Sequence, residues 1–241
     1  MSMTEGELNR IMMKTRIFGD FGPEECALLR KLSKASLRRC AAGESLAEEG
    51  GELDFFAIVA EGKLVCEKNG YGGHVELIAH YGAGDSVGLD IACTVTKRCP
   101  FRIGCLTDAT LLIFRYDALM RAGALRGAMH ERFSVNLIRF LANENIKKLY
   151  KIDVLYKRSL RERILVFLRN METRTGESGF RIHMSREQFA QYLGVNRSSL
   201  SHELSMMRGE GLIRFKKDYF ELSKPPRESD PSAEFAEKGF D

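Results

Sequence analysis

The apolar positions of this chain change texture along its length. Between residues 40 and 115 they come in short runs closed by turn residues: Asp54–Ala60 before Glu61-Gly62, Lys63–Glu67 before Asn69-Gly70, and Thr110–Phe114. Runs of about five residues separated by Gly and Asn-Gly predict the strands of an antiparallel sandwich or roll. The glycine-rich stretch 70–73 is the expected hairpin tip between Leu64-Val65 and Val75–Ile78. Ahead of the strands, Pro23 followed by two acids predicts a helix start within 18–34.

From Ala128 to Lys157 there is neither Gly nor Pro. Ile138, Leu141, Asn145, Leu149, Ile152 and Tyr156 recur at steps of three and four, which is one face of a long helix. Phe133, Leu137 and Phe140 make a second stripe near its N-terminal end. Two apolar faces imply two partners: the roll on one side and a copy of the same helix on the other, with Asn145 setting register across that seam. The alternative is a core helix with one partner and Asn145 at its edge. A further amphipathic helix is expected over Ser159–Met171, with Ile164, Leu165, Phe167 and Leu168 inward and a turn at 176–179.

Residues 184–222 carry the sharpest pattern. Ser185 and Gln188 form a capping box ahead of a short helix that buries Phe189, Ala190 and Leu193. Gly194 supplies the left-handed turn residue, Val195 points to the core, and Asn196 caps a second helix running to about Arg208. Leu200, Leu204 and Met207 are its inward face, leaving Arg197, Ser198, Ser199, Ser201, His202 and Ser205 outside. This is a helix–turn–helix with a polar second helix. Arg197 suits a guanine edge, with Ser198, Ser199 and His202 beside it as further base contacts. Gly211–Leu222 reads as a β-wing, and Ser185, Arg186, Lys216 and Lys217 are the expected phosphate contacts.

Composition adds a class and charge adds a location. The 241 residues are 44% hydrophobic and 29% charged, as in ordinary globular proteins, with a net charge of +4. Residues 157–227 hold 15 Lys and Arg against 8 Asp and Glu, while 1–156 hold 21 against 20 and 228–241 hold 1 against 5. The basic excess therefore sits on the expected DNA reader. No apolar stretch is long enough to span a membrane, and no apolar segment follows basic residues near Met1, so a cytoplasmic location is expected. Cys26, Cys40, Cys66, Cys93, Cys99 and Cys105 are read as free thiols in a reducing compartment. No phosphate loop, G-x-S-x-G, H-E-x-x-H or C-x-x-C motif is present, so an enzyme is not expected.

The stretch Ser185–Leu204, with Gly43-Glu44, Gly50, Phe56–Gly62 and Tyr81–Gly88, resembles the Crp/Fnr family of bacterial transcription regulators over nearly the whole chain. The resemblance implies an α+β fold: an antiparallel, jelly-roll-like β-roll sensor, a long dimerisation helix, and a C-terminal winged helix binding palindromic promoter DNA. The segments implied are 1–127, 128–157 and 158–224, followed by a flexible acidic tail at 225–241. Expected partners are double-stranded DNA, a second copy of the chain and RNA polymerase. The sequence departs from the cyclic-nucleotide binders of this fold. Leu89-Asp90 stands where they place a Glu, and Lys97–Phe101 stands where they carry a phosphate-binding Arg. Pro100 also removes a backbone donor from the phosphate cradle, which argues against cyclic AMP. The recognition helix has Ser198 and His202 where the family often has Glu and Arg, so a different operator half-site is expected.

Iron–sulfur members cluster cysteines near the N-terminus, and this chain has none before Cys26, so neither a cluster nor another metal is expected. His74 and His80 read as polar surface. Two sensor readings stay open. Leu89, Ile91, Arg98, Phe101 and Ile103, closed by Phe133 and Leu137, could line an effector pocket or simply fill the core. Cys93, Cys99 and Cys105 could switch by oxidation or be inert. A further alternative is a sensor whose winged helix docks on protein.

Overall fold

A computed structural model describes residues 3–70, 75–121 and 127–223. The expected hairpin tip at 71–73, His74 and the acidic tail lie outside the described residues. Two helices open the chain, α1 (Glu5–Met13) and α2 (Pro23–Leu32). Pro23 takes the first turn of α2, and the Glu25 carboxylate accepts the Gly22 N–H at 2.9 Å. Eight strands follow: β1 (Ser36–Cys40), β2 (Ser45–Ala47), β3 (Phe55–Glu61), β4 (Leu64–Asn69), β5 (Val75–Tyr81), β6 (Ser86–Val87), and, after α3 (Leu89–Ala92), β7 (Arg102–Cys105) and β8 (Ala109–Arg115). They make two antiparallel four-stranded sheets, in orders β1-β8-β3-β6 and β2-β7-β4-β5. That is the expected roll. The runs read from sequence became β3, β4 and β8, and β4 pairs with β5 from Leu64↔Tyr81 to Asn69↔Val75.

After α4 (Tyr116–Met120) comes the long helix α5 (Ala128–Leu155), then α6 (Leu160–Thr175), β9 (Gly179–Arg181), α7 (Arg186–Tyr192), α8 (Arg197–Gly209), β10 (Ile213–Lys216) and β11 (Tyr219–Leu222). The chain divides into two compact units between Asn143 and Glu144, within α5. No helix among the described residues is long and apolar enough to cross a membrane.

The first unit has two apolar cores. Inside the roll, Ile91 and Ile103 pack with Leu53, Val59, Leu64 and Leu111, and Phe101 lies half-buried against them. Outside it, Leu89, Phe133 and Leu137 pack with Phe18, Phe56 and Phe114 and with residues of α1 and α2. The aromatic rings there stack closely, Phe56 on Phe114 at 5.0 Å and Phe18 on Phe133 at 5.9 Å. The residues considered together from sequence, as one pocket lining or one core, thus divide between two cores. Leu89 and Ile91 lie two residues apart on α3, so they leave the helix on opposite sides and enter different cores. Arg98 is exposed, and its Nη1 donates to the Gly50 carbonyl at 2.8 Å rather than facing the roll interior.

Along α5, Val135, Ile138, Ile146, Leu149, Ile152 and Leu155 are exposed, and so is Tyr156 just past its end, at 86%. Leu141, counted in this row from spacing, is instead half-buried against the Phe133 core, and exposed Ala142 takes its turn. The corrected row Val135, Ile138, Ala142, Asn145, Leu149, Ile152, Tyr156 steps by three and four throughout, the 3.5-residue repeat of a coiled-coil seam.

Candidate nucleic-acid interface

The second unit is built around Val154, Ile164, Leu168, Phe189, Ala190, Leu200, Leu204, Met207 and Phe220, all fully buried. The local signals produce the expected elements. Ser185 Oγ accepts the Gln188 N–H at 3.2 Å while Gln188 Oε1 accepts the Ser185 N–H at 2.8 Å. Gly194 adopts φ +69°, which an L side chain rarely takes, and so makes the turn between α7 and α8. Asn196 Oδ1 accepts the Ser199 N–H at 2.8 Å and starts α8. Leu200, Leu204 and Met207 are buried, so the opposite face of α8 is solvent-facing.

On that face Arg197, Ser198, Ser199, Ser201, His202 and Ser205 are exposed, the set expected from sequence. Two hydroxyls are engaged locally. Ser198 Oγ donates to Asn196 Oδ1 at 2.7 Å, and Ser205 Oγ donates to the Ser201 carbonyl at 2.9 Å. Each keeps oxygen lone pairs for an outside donor. Lys216 and Lys217 are exposed at the tip of the β10–β11 hairpin, where Lys217 has φ +57°. Arg186 departs from the simple phosphate-finger expectation. It is half-buried, its guanidinium lies 5.2 Å from the Phe215 ring and 5.8 Å from the Phe220 ring, and its Nη2 donates to the Lys217 carbonyl at 3.3 Å. Burial, and then the nearby charge of Arg197, lower its pKa from the usual arginine value. Arg186 therefore braces the wing and also joins Arg197 in one positive locus. Ile182, His183, Met184, Ser185, Phe189, Lys217 and Asp218 share with it a groove of about 560 Å³.

Three supports escaped the sequence reading. Arg161 of α6 donates to Glu203 of α8 at 2.7 Å and to both oxygens of Glu210 at 2.7 and 2.8 Å, which fixes the recognition helix against α6. Arg163 ties Lys157 and Leu193 through their carbonyls, both at 3.0 Å. The wing also gains a third strand, β9, paired to β11 from Tyr219↔Arg181 to Glu221↔Gly179. A Cβ at Gly179 would overlap the Tyr219 hydroxyl, so a side chain on that strand would have to displace the Tyr219 ring. Glu203 and Glu210, seven apart on one helical face, were the available signal for a basic partner; which arginine supplied it depends on the α6–α8 packing.

Comparison with known proteins agrees with this construction. Residues 162–227 match the Crp-like helix-turn-helix domain, and residues 37–124 match the cyclic nucleotide-binding domain. Over 185 residues the chain is 26% identical to the fumarate and nitrate reduction regulatory protein of Vibrio cholerae, covering 75% of this chain and 72% of that one. It is 24% identical over 181 residues to the transcriptional regulatory protein btr of Bordetella pertussis, covering 73% and 72%. Among solved structures, FixK2 of Bradyrhizobium japonicum matches with a TM-score of 0.54 at 18% identity, over 79% of this chain and 93% of that one; at this identity the likeness speaks to fold. Two domain matches in this order, on a roll and a winged helix built as described, give the chain the two-domain make-up of a Crp/Fnr-type DNA-binding transcription regulator.

Proposed function

We propose that the protein acts as a homodimer on a palindromic operator, with one α8 in each of two successive major grooves. Arg197 reads guanine, with Ser198, Ser199 and His202 at neighbouring base edges. Ser185, Lys216 and Lys217 hold phosphates, and Arg186 combines a phosphate contact with its support of the wing. The observation that carries this reading is the exposed Arg197, set at the start of a capped helix beside Arg186 and a lysine-tipped wing. The apolar row on α5 supports a dimer seam at Ile138, Asn145, Leu149, Ile152 and Tyr156.

The sensor unit responds to an effector other than cyclic AMP, taken up where half-buried Phe101 covers Ile91 and Ile103. Ligand binding there biases a two-state arrangement of the readers, and RNA polymerase is the downstream partner. Band-shift titration on genomic promoter fragments, repeated over a range of salt, tests the reading. Steeply salt-dependent binding to a few fragments is expected; equal affinity for every fragment, or no DNA binding, rejects it in favour of docking on protein.

A further inference from the structure

The acidic end of the chain and one groove of its reader carry complementary chemistry. Residues 228–241 hold five acids, Glu228, Asp230, Glu234, Glu237 and Asp241, against Lys238, a net charge of −4. Phe235 and Phe240 stand among them. The groove of about 560 Å³ between the start of α7 and the β10–β11 tip has Ile182, Met184 and Phe189 as apolar lining and Arg186 and Lys217 as cations. Its own acid, Asp218, is engaged by Arg181 at 2.7 Å. Among the described residues, the ion pairs of 158–223 engage Arg161 and Arg181 but not Arg186, Lys216 or Lys217.

The connection is long enough to bring the two together. Ser223, the last described residue, donates its N–H to the Leu212 carbonyl at 3.0 Å, at the base of the hairpin whose tip holds Lys217. The four residues of β11, which separate base from tip, span about 13 Å. Phe235 comes twelve residues after Ser223, a stretch that can extend to about 40 Å. A tether of that length holds the acids near the groove at an effective concentration on the order of 1 mM.

We propose that residues 228–241 dock in this groove of their own reader and that DNA must displace them. Phe235 packs on Ile182, Met184 and Phe189, while Glu234 and Glu237 on either side of it meet Arg186 and Lys217. An aromatic ring flanked by acids matches an apolar lining with cations at its rim. Arg186 is held at that rim by its bond to the Lys217 carbonyl and by the Phe215 and Phe220 rings beneath it, so one cation is in place before any anion arrives. Ser185, Arg186 and Lys217 are also phosphate contacts of the proposed function, so the acidic segment and DNA exclude each other there. Operator and unrelated DNA must both empty the groove, and both are weakened by the same factor. The competition rests on the DNA reading; the docking does not.

Two measurements on the full chain test it. Zero-length carbodiimide cross-linking without DNA, mapped by digestion and mass spectrometry, is expected to join the carboxylates of 228–241 to Lys216 or Lys217. A mixture of isotope-labelled and unlabelled chains, equilibrated to exchange copies, separates links within a chain from links between chains. The second measurement compares the chain with a neutralised variant carrying Glu228→Gln, Asp230→Asn, Glu234→Gln, Glu237→Gln and Asp241→Asn. In band shifts at about 50 mM salt the variant is expected to bind about three- to tenfold tighter, equally on operator and unrelated fragments, with the difference gone above about 0.3 M. Links only between chains would assign the segment to a second copy and overturn the proposal. Links confined to other lysines, or equal DNA affinity of the two proteins, would overturn it as well. If neither protein binds DNA, the DNA reading fails while the cross-link map still decides the docking.

Discussion

Exchanging Leu149 for alanine separates the two faces of α5. Leu149 is 51% exposed in the single chain, so about half of its apolar surface is left for a partner. Full burial of a leucine side chain is worth about 1.5–3 kcal/mol, so half gives roughly 0.8–1.5 kcal/mol per copy. A twofold seam holds the residue twice, so Leu149→Ala should weaken the dimer by about 1.5–3 kcal/mol. That is a rise of roughly 10- to 150-fold in dimer dissociation constant. Sedimentation equilibrium measures it directly, and the thermal midpoint of a fully dissociated sample should not move. Leu141→Ala supplies the opposite case. Leu141 lies half-buried against the Phe133 core, so its loss should lower the midpoint and leave the association constant of the folded chain nearly unchanged. If Leu149→Ala leaves association unchanged, or Leu141→Ala weakens it as much as Leu149→Ala, the assignment of faces is wrong.

Other expectations concern the reader and the thiols. Arg197→Ala should cost about 1–3 kcal/mol on the best operator and relax preference at one base pair per half-site, read by competition against a randomised library. Lys216→Ala should instead weaken all sequences alike and flatten the salt slope by about 0.9 per lost phosphate contact. Asn196→Ala removes the oxygen that accepts the Ser199 N–H and should lower reader stability by about 1 kcal/mol in urea titration. Burial pushes the Cys66 thiol up to about 12 and the Cys26 thiol up to about 11. Alkylation by iodoacetamide at pH 8 should therefore be slow at both in the folded chain, and should quicken as pH rises toward those values because only the thiolate reacts. Ordinary thiol reactivity of Cys66 in the folded protein at pH 8 would contradict its burial.

Much of the reader was legible in sequence because its signals are local. A capping box spans four residues, Gly194 needs only its own φ, and Asn196 bonds a donor three residues on. Strands β3, β4 and β8 were legible for the same reason, being bounded by their own turn residues. Helix α1, the short α3 and the third wing strand β9 were missed: the first two lack strong periodicity over enough residues, and β9 exists because β11 pairs with it.

Residue by residue, the chain alone determined which positions of α8 face out and which face in, since a helix of known start has a known face. It determined the α5 periodicity as well, to within one residue. Only tertiary structure decided that Leu141 belongs to the Phe133 core and Ala142 to the exposed row, because adjacent residues are about 100° apart and packing alone chooses between them. Only tertiary structure sent Leu89 and Ile91 into separate cores, turned Arg98 to the Gly50 carbonyl and laid Arg186 on the wing rings. Each of those contacts joins segments far apart in the chain or on different elements, where the long reach of a side chain and the pairing of sheets, not local spacing, select the partner.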